Sequence, residues 1–453
     1  MKRVLSVLLG LSLLFAACGD GKEIVVVKPG LRLSPPVPIV FSSDGGTKKI
    51  TVITNQSSWS VSSDQSWCDA QAEGNTVVIT ARKTVSRTDL PTATVTVTAG
   101  EGEETLTATV TVDQTHVPPF VIGEEESANC YIIKDKGVYR LYAGYRGKSE
   151  TPTVEDFKGC TADWVWMTTG GLIKVSPEVS ADGYITFSTP EDKLVQGSAV
   201  IALLKDGKIV WSWHIWVTDC VKILDGNNFM NVNLGATSDV VGSAGSLGFY
   251  YQWGRKEPFI GAAGVGTRDV TSFNEQTPFS QGTENGVSYT AASVVNPTVA
   301  ADWNVDGSGA KYTEQNLVEK PTTFIGQWGS TPYYSVRSWS KATDPCPPGW
   351  RVPSYNDMAA NLGVPPVDFD VYRGIVQGGN NYWPATGYRH TYMPYSYNGR
   401  LLGVGEGAIY WTGSQRKDTG FAAGIYFDSR EINVNDFMIT YGLSTRCILD
   451  KIY

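Results

Sequence analysis

The sequence predicts a mainly β, multidomain protein, and three observations carry that expectation. Apolar and polar residues alternate at period two through much of the first half, as at Val95/Val97 and Val110/Val112. The chain holds 48 Gly and 23 Pro, which suits short strands and tight turns better than helices. At 453 residues it exceeds one ordinary core, so domains of roughly 100–200 residues each are expected, three in all. With 14 Trp, 22 Tyr, 15 Phe and only 18% charged residues, the composition is globular rather than disordered. A net charge of -8 gives no electrostatic footing for nucleic acid or an anionic membrane surface, both of which need clustered Lys and Arg.

The N-terminus is the most specific feature. Lys2 and Arg3 precede a mostly apolar run from Val4 to Ala17, too short to span a bilayer and of signal-peptide proportions. The run ends Phe15-Ala16-Ala17-Cys18, which resembles a bacterial lipobox except for Phe15, where Leu is commoner. The resemblance implies a signal peptide over residues 1–18 and a lipid on Cys18. An outer-membrane lipoprotein follows, tied to the membrane by its lipid alone and facing either the cell surface or the periplasm. Residues 19–30 read as a solvated tether. Export also reframes Cys68, Cys130, Cys160, Cys220, Cys346 and Cys447, because disulfides persist outside the cytoplasm. Six cysteines allow fifteen full pairings, and a buried thiol is another common fate. No Cys-x-x-Cys spacing suggests zinc.

Residues 31–115 read as a β-sandwich. Short alternating runs such as Ile50/Val52, Val77/Ile79 and Val95/Val97 are punctuated by Asp44-Gly45-Gly46, Glu73-Gly74-Asn75 and Gly100-Glu101-Gly102. The segments FSSDGGTKKITVITNQSSWSVSSDQSWCDA, RTDLPTATVTVTAG and TATVTVDQ resemble the BACON domain, an immunoglobulin-like module of exported Bacteroidetes proteins. That resemblance implies carbohydrate binding or a spacer role. Trp59 and Trp67 are expected in the core rather than as sugar platforms.

His116-Val117-Pro118-Pro119 interrupts the pattern and reads as a linker. A second immunoglobulin-like β-sandwich is expected over residues 119–221, with a type I′ hairpin at Asp206-Gly207 feeding a strand from Ile209 to Val217. Along WSWHIW, Trp211, Trp213 and Ile215 face one way and Ser212, His214 and Trp216 the other, so at least one face is core and His214 is structural. ANCYII and GSAVIALLKDGKIVWSWHIWVTD resemble a module that precedes a particular C-terminal domain in Bacteroidetes surface proteins.

LGFYYQWGRKEPF, KATDPCPPGWRVPSYNDM, YWPATGYR, AIYWTGSQ and GLSTRCILD fall in order through residues 226–453. Together they resemble the major paralogous domain family first counted in Fibrobacter, which implies a compact α+β, C-type-lectin-like fold rich in loops. Asn231-Val232 stands where that family usually has Asp-Arg, so any salt bridge made by that pair is lost. Cys346 and Cys447 sit in two of the motifs and are expected to form a disulfide, with two isolated buried thiols as the alternative. Ser354 and Asp357 form a capping-box pattern after Pro353, with Gly363 beyond, which predicts a helix from Tyr355 to Leu362. Trp350 and Trp411 are expected in the core.

The usual chemistry of catalysis is thinly represented. Three His residues sit in a linker, a strand and a loop. No Gly-x-Ser-x-Gly elbow, His-Glu-x-x-His helix or P-loop occurs in the sequence. Ser338-Trp339-Ser340-Lys341 lacks the companion motifs of a Ser-x-x-Lys enzyme, and Gly403 to Ala408 runs into an aromatic strand rather than a phosphate-binding helix. No catalytic residue or cofactor is therefore assigned.

Two binding features remain. The ligand surface is placed in the loop after YWPATGYR, where Tyr392, Tyr395 and Tyr397 offer rings with hydroxyl tips and Arg389, His390 and Asn398 offer further hydrogen bonds. These tyrosines packing the loop onto its own domain is the bland alternative. Asp302, Asn304 and Asp306 present oxygens at alternate positions before Gly307, as in a structural calcium loop, although Thr313 replaces the usual twelfth-position Glu and a surface turn is favoured. The expected function is a non-enzymatic surface lipoprotein that binds a glycan or adheres to a surface protein. A structural or pilus-tip subunit and a polysaccharide-degrading enzyme are the alternatives.

Overall fold

The computed structural model describes residues 28–84, 90–102, 105–224, 226, 228–259, 281–284, 287–290, 304–306, 312, 317–325, 327–328, 331–332, 339–361, 369, 373–377, 381–393, 401–415 and 420–450. The protein is mainly β and divides into two compact units, residues 1–117 and 118–453. Cys18 and the predicted leader lie outside the described residues.

Unit 1 holds eight strands: β1 (Leu31–Ser34), β2 (Ile39–Phe41), β3 (Gly46–Thr54), β4 (Trp59–Ser63), β5 (Cys68–Glu73), β6 (Thr76–Ala81), β7 (Ala93–Ala99) and β8 (Leu106–Gln114). They form two four-stranded sheets, β1-β3-β6-β5 and β2-β8-β7-β4. Period-two alternation builds this sandwich directly. Val77 and Ile79 of β6, Val95 and Val97 of β7, and Val112 of β8 are fully buried in one core, while the intervening threonines face outward. Trp59 and Trp67 are half-buried and pack against that core, with the Trp67 indole N–H donating to the Pro91 carbonyl at 3.1 Å.

Unit 2 begins with a sheet of eight strands: β9 (Phe120–Ile122), β10 (Cys130–Ile133), β11 (Val138–Tyr142), β12 (Cys160–Met167), β13 (Lys174–Val179), β14 (Tyr184–Ser188), β15 (Gly197–Lys205) and β16 (Lys208–Val217). Their order is β10-β16-β15-β12-β13-β14-β11-β9. Asp206 and Gly207 both take positive φ, as the tight β15–β16 hairpin requires. All of β15 but Lys205 is buried, and β16 is buried on both faces from Trp211 onward. The second face is covered by the C-terminal segment. The Trp216 indole donates to the Ala236 carbonyl at 2.8 Å, Phe249 meets Trp166 and His214 edge-on, and the Lys256 ammonium donates to the Ser212 carbonyl at 2.9 Å.

Residues 119–221 and 226–453, expected as separate domains, thus share one continuous core. Buried polar groups join them further. Asn129 donates to the Ala342 and Asp344 carbonyls, and Lys148 pairs with the buried Asp344 carboxylate at 3.2 Å. Lys256 and Arg255 both hold Glu257, at 3.0 and 3.1 Å, with all three side chains buried. Burial opposes the Glu257 charge, but the two cations prevail and keep its pKa below the ordinary value. Asn231 donates to the Cys220 carbonyl and accepts from the Lys222 N–H, so the departure from Asp-Arg at this position straps the junction between the two segments.

The C-terminal segment centres on a seven-stranded sheet that runs Leu401–Leu402, Tyr388–Arg389, Gly442–Ser444, Gly407–Gln415, Phe421–Asp428 and Ile432–Met438, with β17 (Tyr250–Gln252) also paired to Gly442–Ser444. A helix spans Tyr355–Asn361; its predicted end, Leu362, lies outside the described residues. The helix starts on a reciprocal cap: Asp357 N–H donates to Ser354 Oγ at 3.2 Å while the Asp357 carboxylate accepts from Ser354 N–H at 2.7 Å. Cys346 and Cys447 form a disulfide with Cα atoms 6.0 Å apart. Cys68, Cys130, Cys160 and Cys220 are buried free thiols. Trp411 is fully buried and Trp350 half-buried.

Candidate functional site

At the stem of the predicted tyrosine loop, strand alternation divides the side chains. Arg389 is fully buried, its guanidinium 5.6 Å from the Tyr250 ring, and burial lowers its pKa to about 10. Its expected role as a ligand contact is therefore corrected: in a strand, Arg389 points opposite to Tyr388, and that side is core. The outward side carries half-buried aromatic residues. Tyr388 stacks on Tyr441 at 5.8 Å between ring centroids, and His390 sits 5.1 Å from the Tyr441 ring, with 3.2 Å between His390 Nε2 and the Tyr441 hydroxyl. Burial lowers the His390 pKa, so the imidazole is neutral at pH 7. Tyr426 donates to the Asp428 carboxylate at 2.7 Å, and burial first, then that bond, raise its pKa to about 12.

These groups make a neutral, ring-rich face with a carboxylate beside it, backed by the core beneath. Such a face can stack on the apolar side of a sugar or a peptide while hydroxyl and imidazole groups hydrogen-bond at its rim. Tyr392 lies in a short strand, Tyr392–Met393, parallel to Gln327–Trp328. Tyr395, Tyr397 and Asn398 lie outside the described residues. Tyr388, Tyr426 and Tyr441 were not singled out in the sequence; the signal for Tyr388 was the one-residue alternation of Tyr388-Arg389-His390.

Of the residues expected to hold calcium, Asn304 and Asp306 lie in a short strand, Asn304–Asp306, parallel to Thr323–Ile325. Asp302 lies outside the described residues. Among the described residues no cluster of three or more His, Cys, Asp or Glu is placed to hold a metal.

One constellation imitates a nucleophile and base. His214 Nε2 lies 2.9 Å from Ser198 Oγ, and its Nδ1 lies 3.4 Å from Cys130 Sγ. All three side chains are buried, and burial lowers the imidazole pKa to about 3 and pushes the thiol up. A weakly basic imidazole sealed from solvent is a core hydrogen-bond link rather than a catalytic base.

Fold and surface together define a mainly β, multidomain protein with a half-exposed aromatic face. Residues 35–113 match the family described as the viral BACON domain, so unit 1 carries a BACON domain. No curated protein matches the chain. Among solved structures, the chain is similar to a titin Ig tandem pair at 12% identity, covering 42% of this chain and 96% of that one with a TM-score of 0.18. It is similar to domains 5–6 of the S-layer protein SbsC at 13% identity, covering 42% and 98% with a TM-score of 0.15. An endo-fucoidan hydrolase from glycoside hydrolase family 107 aligns at 11% identity over 40% of this chain and 27% of its own, with a TM-score of 0.18. Scores this low assign neither a fold nor an activity.

Proposed function

We propose that the protein is a cell-surface lipoprotein, anchored through Cys18, that binds glycans or adheres without catalysis. The observation that carries this proposal is the Tyr388–His390–Tyr441 stack with Tyr426 beside it, an aromatic face of neutral groups with the Asp428 carboxylate at its edge. Tyr392, Tyr395, Tyr397 and Asn398, the ligand contacts expected from the sequence, follow His390 in the chain. The BACON domain in unit 1 supports the proposal as a second module of an exported binding protein.

A glycan array probed with the soluble protein tests it. Wild type should bind, and the double variant Tyr388→Ala/Tyr441→Ala should lose at least tenfold in affinity while its melting temperature moves by less than about 4 °C, roughly 1 kcal/mol. An array blank for wild type, with partner subunits recovered from cell envelopes instead, would favour the structural-subunit alternative. Release of reducing sugar from a bound polysaccharide would favour an enzyme. The anchor is tested separately: Cys18→Ser should no longer take up labelled palmitate, and a variant still labelled would refute the lipid site.

A further inference from the structure

A second cluster of rings lies at one end of the β11–β14 pair, apart from the C-terminal face. Tyr142 is central and half-buried. Its ring meets Tyr145 edge-on at 5.5 Å, Tyr184 at 5.3 Å and Phe157 at 6.4 Å. The Arg140 guanidinium covers Tyr184 at 4.1 Å and is itself held by Asp182 at 3.1 Å. Glycines make room for these rings. A Cβ on Gly144 would sit 2.5 Å from the Tyr142 ring, and one on Gly183 would sit 2.4 Å from Phe157. The rings are therefore seated against backbone and held in place before any ligand arrives, which reduces the entropy lost on binding.

Beside the rings lies a cleft of about 380 Å³, lined by Val121, Ile122, Glu124, Glu125, Tyr131 and Pro348 among others. Strand β9 connects the two features. Its Ile122, which lines the cleft, pairs with Leu141 of β11, directly before Tyr142. Half-exposed rings supply the stacking surface, the cleft supplies room for one or two sugar rings, and Glu124 and Arg140 supply charged hydrogen-bonding groups at its edge.

We propose that Tyr142, Tyr145, Glu124 and the adjoining cleft form a second carbohydrate subsite, one that takes neutral sugars. The exposed carboxylates of Glu124, Glu125 and Glu126 line the cleft and repel uronate or sulfated glycans. This subsite rests on the glycan-binding proposal above and adds a second contact within the same compact unit, so polymers should be bound more tightly than short oligosaccharides.

Affinity gel electrophoresis of the soluble protein, 28–453, tests the subsite with four probes: mannan, xyloglucan and mixed-linkage β-glucan as neutral polymers, and fucoidan as a sulfated one. At least one neutral polymer should retard wild type, and fucoidan should not. Tyr142→Ala/Tyr145→Ala should weaken that retardation at least fivefold. Tyr145→Ala alone, which leaves the Tyr142–Phe157 contact in place, should weaken it at least twofold at an unchanged melting temperature. Retention of full retardation by both variants overturns the subsite and leaves the C-terminal proposal standing if Tyr388→Ala/Tyr441→Ala abolishes it. Retardation by fucoidan alone overturns the assigned sugar class. Absence of retardation by every probe overturns the subsite together with the glycan-binding proposal.

Discussion

At the scale of single residues, the buried polar groups are the most informative. His214 has a folded pKa of about 3 against an ordinary 6.5, because burial disfavours the imidazolium. Between those values the unfolded chain binds a proton that the folded chain refuses. Stability is therefore full above about pH 6.5 and falls as pH drops, by about 2 kcal/mol at pH 5 from this residue alone. His390 is depressed in the same direction. Urea unfolding of His214→Gln at pH 7 and pH 5 checks this: the variant should lose markedly less stability on acidification than wild type, and equal slopes would remove His214 as the cause. Sequence alone marked His214 as structural from its place in an apolar strand, but Arg389 was misread. An arginine is rarely buried without a partner, and nothing local announced that Tyr250, far away in the chain, would lie under its guanidinium.

At the scale of elements, legibility follows periodicity and turn chemistry. The strands of unit 1, the Asp206-Gly207 hairpin and the start of the helix at Tyr355 were all readable because a local physical rule fixes each. The short strands between residues 304 and 393 were not, since segments of two to four residues carry little periodicity, and some are held by distant partners, as Gln327–Trp328 is by Tyr392–Met393. The helix illustrates how much rests on one side chain. Ser354 accepts from Asp357 N–H and its hydroxyl donates to the Asp357 carboxylate at 2.6 Å. Ser354→Ala should cost about 1 kcal/mol, read as a lower denaturant midpoint at unchanged slope. Ser354→Asp should recover less than Ser354→Thr, because it sets a second carboxylate beside Asp357. Equal stability of the alanine variant and wild type would show that the cap is redundant with tertiary contacts.

At the scale of the molecule, the disulfide and the shared core of unit 2 decide how the chain holds together. Cys346 and Cys447 are 101 residues apart, so removing both sulfurs should cost up to about 4–5 kcal/mol in the chain-entropy model. Unfolding of Cys346→Ala/Cys447→Ala with no loss of stability would contradict that.

The stronger constraint lies at β15 and β16. Strands buried on both faces read as nearly continuous apolar runs, and GSAVIALLK followed by KIVWSWHIWV is such a run, so the sequence already carried the sign of a second covering layer. What it did not carry was the identity of that layer, which begins only at Ala236, Phe249 and Lys256. A fragment of residues 222–453 would lose the Trp216, Trp166 and Trp211 side chains that cover this layer. It would also leave Glu257 and its two cations near the surface and strip Lys148 from Asp344. That fragment is expected to remain loosely packed, with weak near-UV dichroism and strong dye binding, whereas 118–453 should unfold in a single cooperative transition. If 222–453 alone unfolds cooperatively with a midpoint close to that of 118–453, the two segments are independent domains that merely touch, and the shared core contributes little to the stability of either.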